Sequence, residues 1–161
     1  MAFEPLLTIR KRIDQLTENI PDSGHVRAAL YEFLRRWPQR NGDLQGLEVL
    51  PFSGSDVEDA AGANLVGEGR RVYALVAWKT NSNTLAYLHL YNDITTPFDD
   101  GAARTAIGVR GPDHTFAMID PQGMDYALGV SVAAQTSIGG SSAVSAGRGP
   151  SGFVITGPRT A

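Results

Sequence analysis

The stretch VYALVAWKTNSNTLAYLHLY, residues 72–91, decides the fold class of this chain. Each of its two ends is a run rich in Val, Leu, Ala and aromatic residues, a composition that favours β-strands. The middle, residues 79–84, is rich in Asn, Ser and Thr, which is typical of a turn between strands. In the second run, leucines alternate with aromatic residues, so the two kinds face opposite sides of a strand. The alternating residues are Tyr87, Leu88, His89, Leu90 and Tyr91.

Shorter β-patterns extend on both sides of this pair of strands. The further expected strands are 47–51, 103–109, 114–119, 126–134 and 152–156. Turn signals such as Asp120–Gly123 separate them, and the acidic, Gly- and Ala-rich residues 53–70 are expected to form a long loop. Frequent short strands without a long helix among them predict a mainly β domain over residues 46–161, an antiparallel β-sandwich or jelly roll. Because sandwich edges need pairing or covering, we expect a homo-oligomer.

Residues 1–42 have a different, helical pattern. Five apolar residues recur at spacings of three and four, so they lie on one stripe of a helix over residues 5–20. The stripe consists of Leu6, Ile9, Ile13, Leu16 and Ile20. A second helix is expected over residues 24–37 and is predicted to end at Pro38, so that the pair forms an α-helical hairpin. The stripe either packs on the second helix or contacts a partner, and the latter makes residues 1–42 a docking segment.

A basic group lies near the end of the second predicted helix. It consists of Arg35 and Arg36, followed by Arg40. Cations suit this place because the helix dipole carries partial negative charge at its C-terminal end. The group is therefore either a solvated patch matched to the dipole or the contact for an acidic partner surface.

The charge distribution of the chain limits the kinds of partner that it is expected to bind. The 161 residues have a formal charge of −3, distributed unevenly. Residues 1–40 carry seven Lys and Arg against five Asp and Glu (+2), whereas residues 41–161 carry seven against twelve (−5). This balance is unlike that of proteins that bind nucleic acid through its phosphates. No run approaches the ~20 apolar residues of a membrane-spanning helix. We therefore expect neither nucleic acid nor a membrane as partner.

No group of residues has the spacing of a catalytic or metal site. The chain has no cysteine, which excludes disulfides and thiolate ligands. Its histidines, His25, His89 and His114, are far apart and match no zinc motif. The segment GRGPSG, residues 147–152, lacks the GK[ST] ending of a phosphate-binding loop and precedes a strand. We expect no enzyme and no cofactor, although the sequence leaves open a pair of carboxylates that the fold alone brings together.

Within residues 81–133, packing and turn residues form a recurring order: a strand of the type AYLHLYN, a loop that ends in proline, a Gly-Pro turn and a glycine-rich alternating strand. These residues are Asn83, Ala86, Tyr87, Leu88, Leu90, Tyr91, Asn92, Pro97, Gly111, Gly123, Gly129 and Val130. In this order the segment resembles small structural proteins of tailed bacteriophages, including head decoration and fibre-base proteins. The resemblance covers about a third of the chain and implies a β-sandwich on a virion.

Together these features predict a non-enzymatic virion structural protein. It would decorate or brace the capsid, or link it to an appendage, and dock through residues 1–42 on the major capsid protein or another virion protein. Its location would be the virion, assembled in the host cytoplasm. The alternative is a carbohydrate- or surface-binding β-sandwich module, for which Trp78, Tyr87 and Tyr91 would form the aromatic platform.

Overall fold

The computed structural model describes residues 6–18, 20, 24–41, 46–58, 62–79, 85–94, 103–111, 115–137, 144 and 146–159. Two helices precede a body of eight strands and one short helix. The elements are α1 (Leu6–Thr17), α2 (Gly24–Asn41), β1 (Glu48–Phe52), α3 (Gly54–Val57), β2 (Ala63–Val66), β3 (Arg70–Trp78), β4 (Leu85–Tyr91), β5 (Ala103–Arg110), β6 (Thr115–Tyr126), β7 (Val130–Gln135) and β8 (Ser151–Gly157).

The strands pair in a nested order. The first strand pairs with the last, β2 with β7, β3 with β6 and β4 with β5, all antiparallel. Additional pairing of β8 with β3 and of β7 with β4 joins them into two sheets, β1-β8-β3-β6 and β2-β7-β4-β5. A nested hairpin rolled into two four-stranded sheets is a jelly roll. The predicted fold class, a mainly β antiparallel sandwich or jelly roll behind an N-terminal helical pair, is therefore confirmed.

The two sheets enclose one apolar core. Alternate residues of each strand enter it, and in β4 these are Ala86, Leu88 and Leu90, as the alternation of the sequence predicts. Opposite them, β3 contributes Val72 and Leu75. Further core residues are Leu50, Phe52, Val66, Ala77, Val109, Tyr126, Val130, Val132, Ala134 and Val154. Apolar residues alternate with other residues along the strands because only one face of each strand is buried in this core.

A second apolar layer lies on the outer face of the sheet β1-β8-β3-β6. There α1 and α2 cover the residues of this sheet that point away from the sandwich core. The Trp37 and Tyr73 rings are nearly perpendicular, with centroids 4.6 Å apart, and the Phe33 ring centroid lies 5.7 Å from that of Tyr73. Other members of this cluster are Ile9, Ile13, Val26, Leu30, Leu34, Leu47, Val49, Ala74, Val76, Phe153 and Ile155. Residues 1–42 are helical and residues 46–161 are mainly β, but both parts contribute to this second apolar cluster. They therefore do not have separate cores.

Both helices differ from the expected ranges at their C-terminal ends. The first ends at Thr17, whose hydroxyl donates to the carbonyl of Ile13 and accepts from Arg27, so Ile20 lies outside it. Pro38, predicted to end the second helix, lies inside it, because α2 continues to Asn41. A proline this close to the end removes only one hydrogen bond of the last turns.

The region predicted to be a loop over residues 53–70 contains regular structure. It holds the one-turn helix α3, whose capping box joins Ser53 and Asp56, and the short edge strand β2. The loop prediction is wrong here. The strand β2 has only four residues, and three of them are partly or fully exposed, so the sequence shows no clear alternation of apolar and polar residues.

The turn predicted at Asp120–Gly123 is present, but it does not separate two strands. It interrupts the pairing of β6 with β3 as a bulge, so the strand runs from Thr115 to Tyr126. The Asp120 carboxylate accepts from the Gln122 amide, and the guanidinium of Arg71 donates to the carbonyl oxygens of Gln122 and Gly123. Arg71 thus holds the bulge to the neighbouring strand. A bulge at this place also disrupts the free edge of the sheet, which hinders uncontrolled strand pairing.

Candidate functional site

The apolar stripe of the first helix faces the protein itself. Ile9 and Ile13 are 0% exposed in the layer between the helices and the sheet, and Leu16 packs at its margin. Ile20 is half-buried beyond the end of α1, and the side chain of Leu6 lies outside the described residues. The stripe therefore contributes to the fold, and a partner would meet the opposite face of the helices.

The two arginines predicted as contacts lie on that outer face. The side chains of Arg35 and Arg36 are 64% and 63% exposed, and both bind Glu32, one and the same carboxylate oxygen lying 2.7 Å from Arg35 Nη2 and 2.7 Å from Arg36 Nε. Hydrogen bonding by Arg35, assisted by the charges of both guanidinium groups, lowers the pKa of Glu32 to about 2. The three residues form an exposed, ion-paired ridge with one net positive charge, which we call the Arg ridge.

An apolar groove runs beside the Arg ridge. It lies between α2 and the bulge of β6 and has a volume of about 320 Å³. Its lining consists of Ala29, Glu32, Phe33, Arg36, Trp37, Ile119 and Pro121, and the surface it offers is mainly apolar. This α2–β6 groove is at the small end of ligand pockets, and its apolar lining suits an aliphatic or aromatic side chain.

A shallower cleft lies on the other side of the ridge, between the two helices. It has a volume of about 580 Å³ and includes Leu7, which is 70% exposed. The guanidinium carbon of Arg10 lies 4.4 Å from the centre of the Tyr31 ring, which makes a cation–π contact between the two helices. The two helices are basic, because α1 and α2 contain seven Lys and Arg against two Asp and Glu, although the acidic residues that flank them reduce the charge of residues 1–40 to +2.

A second surface feature lies at one end of the jelly roll, where residues 92–94 meet residues 127–129. The Leu128 amide donates to the Asn92 side chain over 2.9 Å, and the Ser131 hydroxyl donates to the carbonyl of Asp93. Ile94 and Leu128, 57% and 60% exposed, stand on this loop tip. Single apolar residues in loops form no pattern, so the sequence offered no signal for this pair.

The GRGPSG segment binds a carboxylate of the protein itself. One oxygen of Glu58 accepts from the amides of Gly147 and Gly149, at 2.8 and 3.1 Å. Ser151 accepts from the amide of Gly54 at the start of α3. Successive backbone amides of this kind can hold an anion, and here Glu58 is that anion. The loop is thereby attached to the β1–β2 connection.

The histidines do not assemble into a site. His25 is exposed on α2, and His114 lies outside the described residues. His89 is 2% exposed on the outer face of the second sheet, where its Nδ1 lies 3.1 Å from the Tyr87 carbonyl. Burial lowers the pKa of His89, and the hydrogen bond to Tyr87 opposes this effect. Within the described part of the chain, no group of three His, Asp or Glu side chains is placed to hold a metal ion.

The three aromatic residues considered for carbohydrate binding lie apart. Tyr91 is 1% exposed, and its hydroxyl accepts from the Gln135 amide at 2.6 Å. Trp78 packs at the margin of the helical layer, 6.3 Å from Phe153, on the other sheet. Tyr87 alone is partly exposed on the second sheet. These residues therefore form no common platform.

Among the helices of the described residues, none is both long and apolar enough to cross a bilayer. The chain matches no protein-family model, and neither a curated protein nor a solved structure shows significant similarity to it. The similarity to phage virion proteins thus rests on residues 81–133 alone and stays a prediction.

Proposed function

We propose that this chain is a non-enzymatic structural protein of a tailed-phage virion, which decorates or braces the capsid or links it to an appendage. The observation that carries the proposal is the nested strand order, because jelly rolls of this kind recur in viral capsid proteins. The sequence pattern of residues 81–133 points to the same class of protein. Such a role requires a rigid β body and a contact surface, and it requires no cofactor.

The expected contact surface is the outer face of the helical layer. The apolar stripe is used inside the protein, so docking through the helices falls to the Arg ridge and the two clefts beside it. A basic face of this kind suits an acidic patch on the major capsid protein or another virion protein.

The location is tested on particles from the bacterial strain that encodes the chain. Tailed particles are purified on a density gradient, and the chain is quantified by mass spectrometry relative to the major capsid protein. We expect the chain to sediment with the particles in many copies. Its absence from purified particles that contain the major capsid protein would refute the proposal.

The contact surface is tested with purified full-length chain added to particles from a strain that lacks its gene. Arg36→Glu should weaken co-sedimentation about tenfold or more, because it reverses a charge on the docking face. Lys11→Glu is the matched control, since it makes the same charge change at an exposed position of α1 that lines neither cleft and lies outside the Arg ridge. Equal binding by both variants and the native chain would exclude the Arg ridge as the contact. If both variants weaken co-sedimentation equally, the interaction depends on overall charge and not on the Arg ridge.

A further inference from the structure

The apolar core of the jelly roll is incompletely covered along one side, where an edge strand of one sheet meets an edge strand of the other. These strands are β5 and β6, and between them Thr105 Oγ1 lies 3.2 Å from Met124 Sδ. Four apolar side chains of the two strands pack against the core and remain partly exposed. They are Ile107, Phe116, Met118 and Met124, and we call this surface the β5–β6 seam.

The opposite side of the core, between β1 and β2, is covered more completely. The connection between these two strands contains α3, which adds the fully buried Val57 to the core. Of the described residues of β1 and β2 that pack against the core, Ala63 and Leu65 stay partly exposed. More apolar side-chain surface is therefore accessible at the β5–β6 seam than on the opposite side.

The edge strand β5 is also well suited to pair with a further strand. It contains no proline, and its register with β4 is regular from Leu85 to Leu90. The other three edge strands have features that hinder pairing: β1 contains Pro51, β2 has four residues and a register shift, and a bulge with Pro121 interrupts β6. Among the described strands, none pairs with the outer side of β5. This strand can therefore accept one more neighbour.

We propose that two copies of this chain associate through their β5–β6 seams, with β5 of one copy paired antiparallel to β5 of the other. The pairing would join the two four-stranded sheets that contain β5 into one continuous sheet, and the side chains of the two seams would cover each other. An antiparallel pair of identical strands has a two-fold axis, so the contact is complete in a dimer.

An identical copy suits the seam because the seam is uncharged. Residues 105–109 of β5 and 115–119 of β6 contain no Asp, Glu, Lys or Arg, so two seams can meet without like charges facing each other. Apolar surface of this kind is typical of interfaces between copies of one protein. The inference concerns the purified chain and does not depend on the proposed virion location.

Two lysine substitutions test the seam by sedimentation velocity at roughly 100 µM. We expect the native chain to be a dimer. Met118→Lys places a charge in the seam and should weaken dimerisation about tenfold or more, since burial of one such side chain contributes roughly that factor. Leu65→Lys is the matched control, because it places the same charge at a partly exposed core position on the opposite side, and it should dimerise like the native chain. Circular dichroism and melting temperature check the folding of both variants.

Cysteine cross-linking tests the strand pairing independently, and the native chain has no cysteine that could react. Ala106→Cys lies in the middle of β5, and Pro51→Cys, at an exposed position of the edge strand β1, is its control. A short thiol-specific cross-linker should convert the first variant into covalent dimers and leave the second as single chains. The two cysteine variants decide the question if Met118→Lys does not fold. A native chain that is monomeric or larger than a dimer, a folded Met118→Lys variant that dimerises like the native chain, or equal cross-linking at positions 106 and 51 would each overturn the inference.

Discussion

Replacing Ile13 by alanine measures how firmly the N-terminal helices belong to the folded body. Ile13 is fully buried between α1 and the outer face of the sheet β1-β8-β3-β6. The substitution removes three carbon atoms, worth about 2.4 kcal/mol at about 0.8 kcal/mol for each. The cavity left behind adds to this loss, so we expect the free energy of unfolding to fall by about 3 kcal/mol. For a chain of this size the melting temperature should fall by about 6–12 °C.

Urea unfolding followed by tryptophan fluorescence is the appropriate assay, because Trp37 belongs to the same cluster as Ile13. Circular dichroism at a helical wavelength follows the helices in the same titration. Leu7→Ala is the matched control, since Leu7 lies on the same helix and is 70% exposed, and it should change stability by less than about 0.5 kcal/mol. If both variants unfold like the native chain, the helices do not share the cooperative core, and the stripe is free for a partner.

Three further perturbations follow from particular contacts. Gly152→Ala should prevent normal folding, because a Cβ there would overlap the carbonyl oxygen of Val76, whereas Gly24→Ala, which meets nothing within 4 Å, should melt at or slightly above the native temperature. Glu58→Ala should lower the free energy of unfolding by about 1–2 kcal/mol and speed hydrogen exchange of the two glycine amides that the carboxylate binds. Because the pKa of His89 is lowered by folding, the unfolded state binds its proton more readily. Stability is therefore full above about pH 6.5 and should decrease below it by at most about 1.4 kcal/mol per pH unit, and His89→Gln should flatten this slope in urea titrations at several pH values.

The sequence predicts the β-strands well where both composition and alternation are strong. The strand predicted over residues 85–91 coincides with β4, and the one over residues 72–78 lies within β3. Turn chemistry is also recognisable, but its meaning depends on pairing. Asp120–Gly123 has the residues of a turn and forms one, yet the strand continues beyond it because Arg71 and the neighbouring strand hold both sides. Only the three-dimensional pairing distinguishes a bulge from a hairpin.

The nested strand order could not be read from local patterns. β1 and β8 pair although about a hundred residues separate them, and no local residue pattern specifies such a partner. The surface that buries the helical stripe could not be predicted either. An amphipathic pattern shows that one face of a helix is buried, but it does not show which part of the protein covers that face. One signal was nevertheless present in residues 72–78. Their apolar run is continuous, which is typical of a strand buried on both faces, and β3 is indeed covered by the sandwich core and by the helices.

Because the helices cover the outer face of the sheet, deleting them is not a suitable test of whether they dock on a partner. Removal of residues 1–42 would uncover Leu47, Val49, Tyr73, Phe153 and Ile155 on the outer face of the sheet. An exposed apolar sheet face of that size favours aggregation, so loss of partner binding by the truncated chain would follow from misfolding alone. The helices cover that face with their apolar stripe, and their opposite face exposes Arg35 and Arg36. The same helices therefore stabilise the β body and carry the proposed docking surface. Point substitutions on the outer face leave the buried stripe intact, and for that reason they separate docking from folding where a deletion cannot.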